Sequence, residues 1–380
     1  VWLYDENHYP SGPAGFKLAI DGRSMLSLLC IAEKQILPGG RLDVPEADFI
    51  VIVNPETGET LEQDWIPKDW CSGAKAFAFR VQSWQANRDS HFYSYPDYTD
   101  AELTDDFIQL THEWYREKLG SFFGTVIRGI FSDNSCGNFG MHRRSAPWGR
   151  DFPERFKAAT GKSLHEILPR LFDGTLPEAR EARLLFWDFF GKAYLDSYFG
   201  RITRWCDQHG ILSTGHLACE DGLFEHIRQC GDYFDVMRHF TYCAVDDLGP
   251  EKTGSDLVDR RGDAGWLPAK ITASCARFLG RSEVMCECFG LASEPWNLTL
   301  REMRRISGWL AVAGITVFVP HGLYYSIAGH RKWECPPDHI HTPSWKYYSK
   351  WTDWIARYSL AATGGVNLAE TVLLYPVRAM

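Results

Sequence analysis

The sequence has no run of uncharged apolar residues near the ~20 needed to cross a bilayer, no surplus of positive charge, no internal repeat and no low-complexity stretch. Lys and Arg number 40 against 49 Asp and Glu, a net charge of -9. No basic field attracts phosphates, so nucleic acid is a poor partner, and a membrane span is ruled out. The 11 cysteines include no CxxC pair, so zinc templates do not fit. Scattered and odd in number, they read as mostly reduced thiols, in a reducing compartment or in a secreted protein with few bridges. Cytoplasmic and secreted locations both stay open. Cys286 and Cys288 would share one face of a strand, opposite Glu287.

What is present is material for a large core and many aromatic rings. Of the 380 residues, 45% are hydrophobic and 14% aromatic, with 15 Trp and 16 Tyr. Indole and phenol rings stack on the C–H faces of sugars and also fill large cores. Composition alone does not separate the two uses.

Short apolar runs alternate with longer amphipathic ones, the pattern of βα units. The runs Val1–Tyr4, Thr125–Phe131, Gly210–Thr214, Phe234–Met237, Glu283–Cys286 and Ile315–Val319 read as buried parallel strands. Helices are expected over Asp100–Lys118, Ala182–His209 and Leu298–Ala311. Residues 24–81 break the rhythm with the hairpin-like runs Leu26–Ala32, Phe49–Val53 and Ala74–Val81. The expected fold is α/β, a (β/α)8 TIM-type barrel over residues 1–370 with a β-rich insertion at 24–81, after the first strand. Thr371–Pro376 reads as a strand opening a following domain, truncated within 371–380, and a start inside a strand at Val1 points to sequence upstream.

In a parallel barrel the residues that do chemistry sit at the C-terminal strand ends. Here the runs lead to Asp5 and Glu6, to Asp133 and Asn134, to His216 and then Glu220, to Glu287, and to His321, Tyr324 and Tyr325. Trp296 follows in a loop. Each has a plainer use: a carboxylate can simply pair with Arg, a histidine can sit satisfied in a core, Asp5 and Glu6 can close a turn, and Trp296 can anchor its loop. Their recurrence at one pole points to a site. Cleavage of a glycosidic bond needs two carboxyl groups flanking it, and this pole supplies several.

The opening residues Trp2-Leu3-Tyr4-Asp5-Glu6, then Tyr9-Pro10-Ser11-Gly12 and Ala14-Gly15, resemble the start of glycoside hydrolase family 106 and its α-L-rhamnosidase-like relatives. Gly129-Ile130-Phe131-Ser132-Asp133, Pro147-Trp148, Gly215-His216 with Glu220, Glu287-Cys288-Phe289-Gly290, and His321 through Tyr325-Ser326 continue the likeness in order. The resemblance implies a (β/α)8 barrel followed in longer members by β-sandwich domains. It also implies inverting hydrolysis of terminal α-L-rhamnosides, with Ca2+ at the site in some members. It carries over Glu220 and Glu287 as the catalytic carboxylates, with acid and base unassigned between them. Asp5, Glu6, Asp133, Asn134, His216, Trp296, His321 and Tyr325 are then expected to shape a pocket for an oligosaccharide or glycoside. One position departs from the pattern: relatives read Asp-Glu-Pro where this chain has Asp133-Asn134-Ser135. Asn does not titrate, which leaves an inactive glycan-binding barrel as an alternative, beside a transglycosylase or lyase on the same scaffold.

Overall fold

The computed structural model describes the chain apart from residues 5–10, 16, 19–22, 24, 84–95, 136–143, 218–219, 221, 248–266, 290–297, 324–325, 327, 329–339, 341, 367 and 378–380, and apart from the side chains of residues 83 and 247. Its eleven strands, in chain order, are β1 (Trp2–Tyr4), β2 (Leu26–Ile36), β3 (Phe49–Val53), β4 (Thr60–Leu61), β5 (Ala74–Ser83), β6 (Gly129–Ser132), β7 (Ser145–Trp148), β8 (Leu212–Gly215), β9 (Tyr242–Asp247), β10 (Val284–Cys288) and β11 (Val317–Pro320).

Six of them form one parallel sheet in the order β1-β6-β8-β9-β10-β11. The spatial order never reverses, so the sheet is wound in a single direction. That is barrel topology; a doubly wound sheet would reverse at a switch point. Among the described residues the sheet curls as a half-barrel of six strands, where the sequence led us to expect eight.

Alternation along these strands sorts the side chains. Leu3, Ile130, Cys243, Val245, Val284, Cys286 and Cys288 turn outward into the main core beneath the helices. Phe131, Ala244 and Met285 turn inward and pack with Trp2, Tyr242, Val317 and Val319. Cys286 and Cys288 therefore share the outer face, opposite Glu287, as the strand period requires.

Five of the six expected parallel strands are found, with shifted ends. The run Phe234–Met237 is instead inside a helix, Tyr233–His239. Asp232 caps it, its side chain accepting from the N–H groups of Phe234 and Asp235, and Tyr233, Val236 and Met237 are buried at helical spacing. An N-cap and a 3.6-residue period outweigh a short apolar run. The strand that belongs here is β9, whose acidic end disguised it. Thr371–Pro376 forms no ladder in the described structure; Val372, Leu373 and Leu374 lie exposed in extended chain.

The β-rich region is an antiparallel sheet, β4-β3-β5-β2-β7. Its edge strand β7 comes from beyond residue 81, after the second strand of the parallel sheet, so the sheet draws on more of the chain than the expected 24–81. In β5 the alternation is plain: Ala74, Ala76 and Ala78 face one core with Ile36, Ile50, Ile52 and Ile66. Phe77 and Phe79 face the other, against Phe152, Phe156, Leu164, Phe186 and Phe190 from the helices Phe152–Thr160, Leu164–Phe172 and Ala179–Tyr194.

One continuous helical run serves both cores: Ala179–Tyr194, a π-helical turn Leu195–Phe199, then Gly200–Gln208. It crosses close to the end of helix Leu223–Cys230 at Gly231, where φ is +81° and an added Cβ would lie 2.6 Å from the Cα of Gly191. A Gly231→Ala variant meets backbone and carries a left-handed φ at once. We expect it to lose about 1–3 kcal/mol, seen as a lowered midpoint in thermal unfolding followed by circular dichroism.

Candidate active site

The inward-facing rows of the parallel sheet end in polar groups. Tyr4 closes β1, Asp133 follows β6, His216 follows β8, Asp246 lies near the end of β9, Glu287 lies in β10 and His321 follows β11. Asp246 and Glu287 are register partners on neighbouring strands. The apolar inward layer sits directly below, so these groups are held in a partly dry setting where charge interactions are strong.

His216 is the hub, and it is fully buried. Its Nε2 lies 2.6 Å from Glu287 Oε2 and 3.5 Å from Asp133 Oδ1. The Tyr4 hydroxyl donates to Asp133 Oδ2. Burial disfavours the imidazolium, but the hydrogen bond to Glu287 and the charges of Asp133, Asp246 and Glu287 outweigh it, and the pKa is held well above the ordinary 6.5. The protonated imidazole is thus favoured, with Nε2–H donating to Glu287.

The carboxyls around it respond in opposite directions. Burial pushes Glu287 up, yet the hydrogen bond and charge of His216, with a contribution from His321, bring it below its ordinary 4.5. For Asp246 burial dominates; His216 opposes it, and the charges of Glu287, Glu220 and Asp133 add to it, leaving the group well above the ordinary 3.8. Its buried Oδ1 has no hydrogen-bond partner among the described residues. The same surroundings thus favour the ionised form of Glu287 and the protonated form of Asp246.

Glu220 is brought to the same pole but put to another use. Its Oε1 accepts from Leu217 N at 3.0 Å and from the Tyr233 hydroxyl at 3.2 Å, and its Oε2 accepts from Asp246 N at 2.8 Å. The carboxylate ties the loop after β8 to the top of β9, and so sets His216 and Asp246 relative to each other. A second tie reaches it from far along the chain. His226 Nε2 lies 2.8 Å from the Glu220 carbonyl and must be the N–H donor there. Nδ1 is then the acceptor, and Tyr375 donates to it at 2.8 Å.

Asp133 is positioned by hydroxyl groups. Its N–H donates to Ser11 Oγ and its carbonyl accepts from Ser11 N, both at 2.9 Å. Tyr98 donates to the Ser11 carbonyl at 2.7 Å, and Tyr194 to the Ser135 carbonyl at 2.6 Å. Tyr198, on the π-helical turn, reaches Ser135 Oγ at 3.1 Å. Asn134 between them has φ +47°. Asn enters this left-handed region more readily than most residues.

Asp133, His216 and Glu287 place one donor atom each within 4.8 Å of one another. The set does not fit calcium, which takes 6–8 oxygen ligands: among the described residues it offers two carboxylates and an imidazole whose Nε2 is engaged with Glu287. Asp5, Glu6, Trp296 and Tyr325 lie outside the described residues. Asp246, Tyr4 and the tyrosines behind Asp133 were missed in the sequence; an Asp ending the apolar run Cys243–Val245 was the available signal for the first.

No protein-family model matches this chain, and no curated protein does. Solved structures do. The structure of a rhamnosidase from Novosphingobium sp. PP1Y superposes with a TM-score of 0.53 at 17% identity, over 84% of this chain and 31% of that one. The fold is that of a region of a rhamnosidase. This chain spans about a third of that protein's length, 31%. The catalytic domain of a β-amylase from Paenibacillus polymyxa matches at 0.44 and 9% identity, over 63% of this chain and 67% of that one. No described helix is long and apolar enough to cross a membrane.

Burial raises Glu220 from 4.5 to about 7, against the lowering effects of His216 and its hydrogen bonds. A pKa raised on folding adds stability that is whole below the unfolded value and is lost as pH rises through the folded one. The window here is 4.5 to about 7. Glu220→Gln removes that slope. It also turns an amide N–H2 toward one of two backbone donors, at a cost of about 1–3 kcal/mol. Urea unfolding across that pH range should therefore show a lower and flatter stability profile.

Proposed function

We propose that this chain is the catalytic barrel of a glycoside hydrolase that cleaves a terminal sugar, an α-L-rhamnoside or a close relative, with Asp246 as general acid and Glu287 as general base. The observation that carries the reading is the pair of register partners at the C-terminal pole whose pKa values are driven apart. The surroundings favour the protonated form of one carboxyl and the ionised form of its neighbour, the kind of difference that lets two like groups take opposite roles. The fold likeness to the rhamnosidase and the sequence resemblance to glycoside hydrolase family 106 support the choice of sugar.

In this reading Asp246 delivers its proton to the glycosidic oxygen as the bond to the anomeric carbon breaks. Glu287 takes a proton from water as that water's oxygen bonds to the anomeric carbon. His216 fixes the orientation of Glu287, and Asp133, held by Tyr4 and Ser11, balances the imidazolium charge. Glu220 acts through the backbone of Asp246 and Leu217 and does not touch the sugar. The inverting course is expected from the family resemblance.

Against a panel of aryl glycosides that includes α-L-rhamnosides, Glu287→Gln and Asp246→Asn should each lower kcat by roughly 10²–10⁴-fold. Retention of full activity by either variant would remove that residue from the mechanism. Proton NMR of the first-formed sugar should show the inverted anomer; the retained anomer would make Glu287 a nucleophile instead. The pH profile follows from the shifts. Rate should fall in acid only below the ordinary 4.5 of a glutamate, as Glu287 protonates. It should fall in base only well above the ordinary 3.8 of an aspartate, as Asp246 ionises.

A further inference from the structure

Away from the strand ends, a cleft of about 590 Å³ opens between the helices of the antiparallel sheet and those of the parallel sheet. Its size is that of a small-molecule site, about 300–1,000 Å³, and seams between packed layers are where such sites gather. One wall is a single face of helix Ala179–Tyr194, carrying Arg180, Arg183, Leu184, Trp187 and Asp188 at three- and four-residue spacing. The opposite wall brings Phe224, which is 55% exposed, with the Arg228 guanidinium 5.7 Å from its ring.

The cleft is lined by Arg144, Arg180, Arg183 and Arg228 and by Asp188, Asp232 and Asp235. Asp232 spends its carboxylate on capping the N–H groups of Phe234 and Asp235, and Asp235 is paired with Arg238 at 3.3 Å. Arg144 is held by Glu33 at 2.8 Å. Arg180 and Arg183 form no ion pair among the described residues. The Nε of Arg183 donates to the Leu171 carbonyl at 3.4 Å. Its two terminal nitrogens lie over Gly174, where a Cβ would come within 3.1 and 3.2 Å of them. A glycine here leaves room for the guanidinium.

We propose that this cleft is a binding site for a saccharide unit bearing a carboxylate, a uronic acid residue, separate from the strand-end site. A guanidinium fork matches a carboxylate in plane and spacing, Arg180 adds a second positive group one helical turn away, and Trp187 on the next turn offers an apolar ring to the sugar's C–H face. The choice of a saccharide rests on the hydrolase reading; the choice of an acidic one rests on the two arginines. Such a site would hold the acidic part of a chain while its terminal sugar is cut elsewhere.

The test is isothermal titration of the whole chain with a trimer of galacturonic acid and with its carboxyl-reduced neutral counterpart. The acid trimer should bind at least tenfold more tightly than the neutral one, and more weakly as salt is raised. The double variant Arg180→Ala/Arg183→Ala, its fold checked by circular dichroism, should lose roughly ten- to a hundredfold of that affinity. Arg183→Lys, which keeps the charge and loses the fork, should lose an intermediate share. Equal binding of the two trimers, or undiminished binding by the double variant, overturns the proposal. So does inorganic phosphate that binds as tightly as the acid trimer and displaces it, which would mark a simple anion spot. Turnover of rhamnosides without trimer binding sinks this proposal alone, whereas trimer binding by a protein silent on every glycoside sinks the hydrolase reading and leaves the cleft standing.

Discussion

A buried imidazolium governs the strand-end pole. His216 has no access to water, and an ion taken out of water is costly unless opposite charge and hydrogen bonds replace its hydration. Glu287 at 2.6 Å and Asp133 at 3.5 Å supply the charge. That requirement reaches outward. Asp133 can stay in place only because Ser11, Tyr4 and a set of tyrosine hydroxyls fix the loop around it. Asp246, whose buried Oδ1 has no hydrogen-bond partner among the described residues, is pushed up by burial, and the charges of Glu287, Glu220 and Asp133 add to it. Asp246 and Glu287 are thus shifted in opposite directions because Glu287 holds the hydrogen bond to His216 and Asp246 does not.

Much of the scaffold was legible in the sequence, for reasons that can be named. Phe49–Val53 is a strand over the full length expected, because a short apolar run flanked by Asp48 and Asn54-Pro55 has little else to become. The helix expected from Leu298 starts at Leu300 behind a capping box of Thr299 and Glu302. Alternation placed Cys286 and Cys288 opposite Glu287, and it placed His216 and Glu287 at one pole. What failed was the discrimination of Phe234–Met237 from Tyr242–Asp247. Both are short and apolar, and the deciding term was the side-chain cap at Asp232, whose value depends on the turn that precedes it. With the wrong strand chosen, Asp246 could not be seen.

The role of Glu220 was beyond sequence reasoning for a different reason. A glutamate near a strand end looks the same whether its oxygens face a sugar or a neighbour's backbone. Only the positions of Leu217 N, Asp246 N and the Tyr233 hydroxyl separate the two. The helical run from Ala179 to Gln208 shows the same limit. Its length was readable, but the π-helical turn at Leu195–Phe199 within it, the segment that carries Tyr198 to Ser135, was not. Such turns inside helices often mark places where a side chain had to be re-aimed.

The contact between Tyr375 and His226 bears on the order in which the molecule can be completed. The last strand of the parallel sheet ends at Pro320 and the helix that follows the sheet ends at Thr363. Yet the ring that braces the Glu220 carbonyl receives its own hydrogen bond from residue 375. A chain leaving the ribosome folds from its beginning, and here sheet and helices would be in place while His226 still waited for its donor. The brace on the strand-end pole is therefore completed only by a residue well beyond the parallel sheet and the helix that follows it.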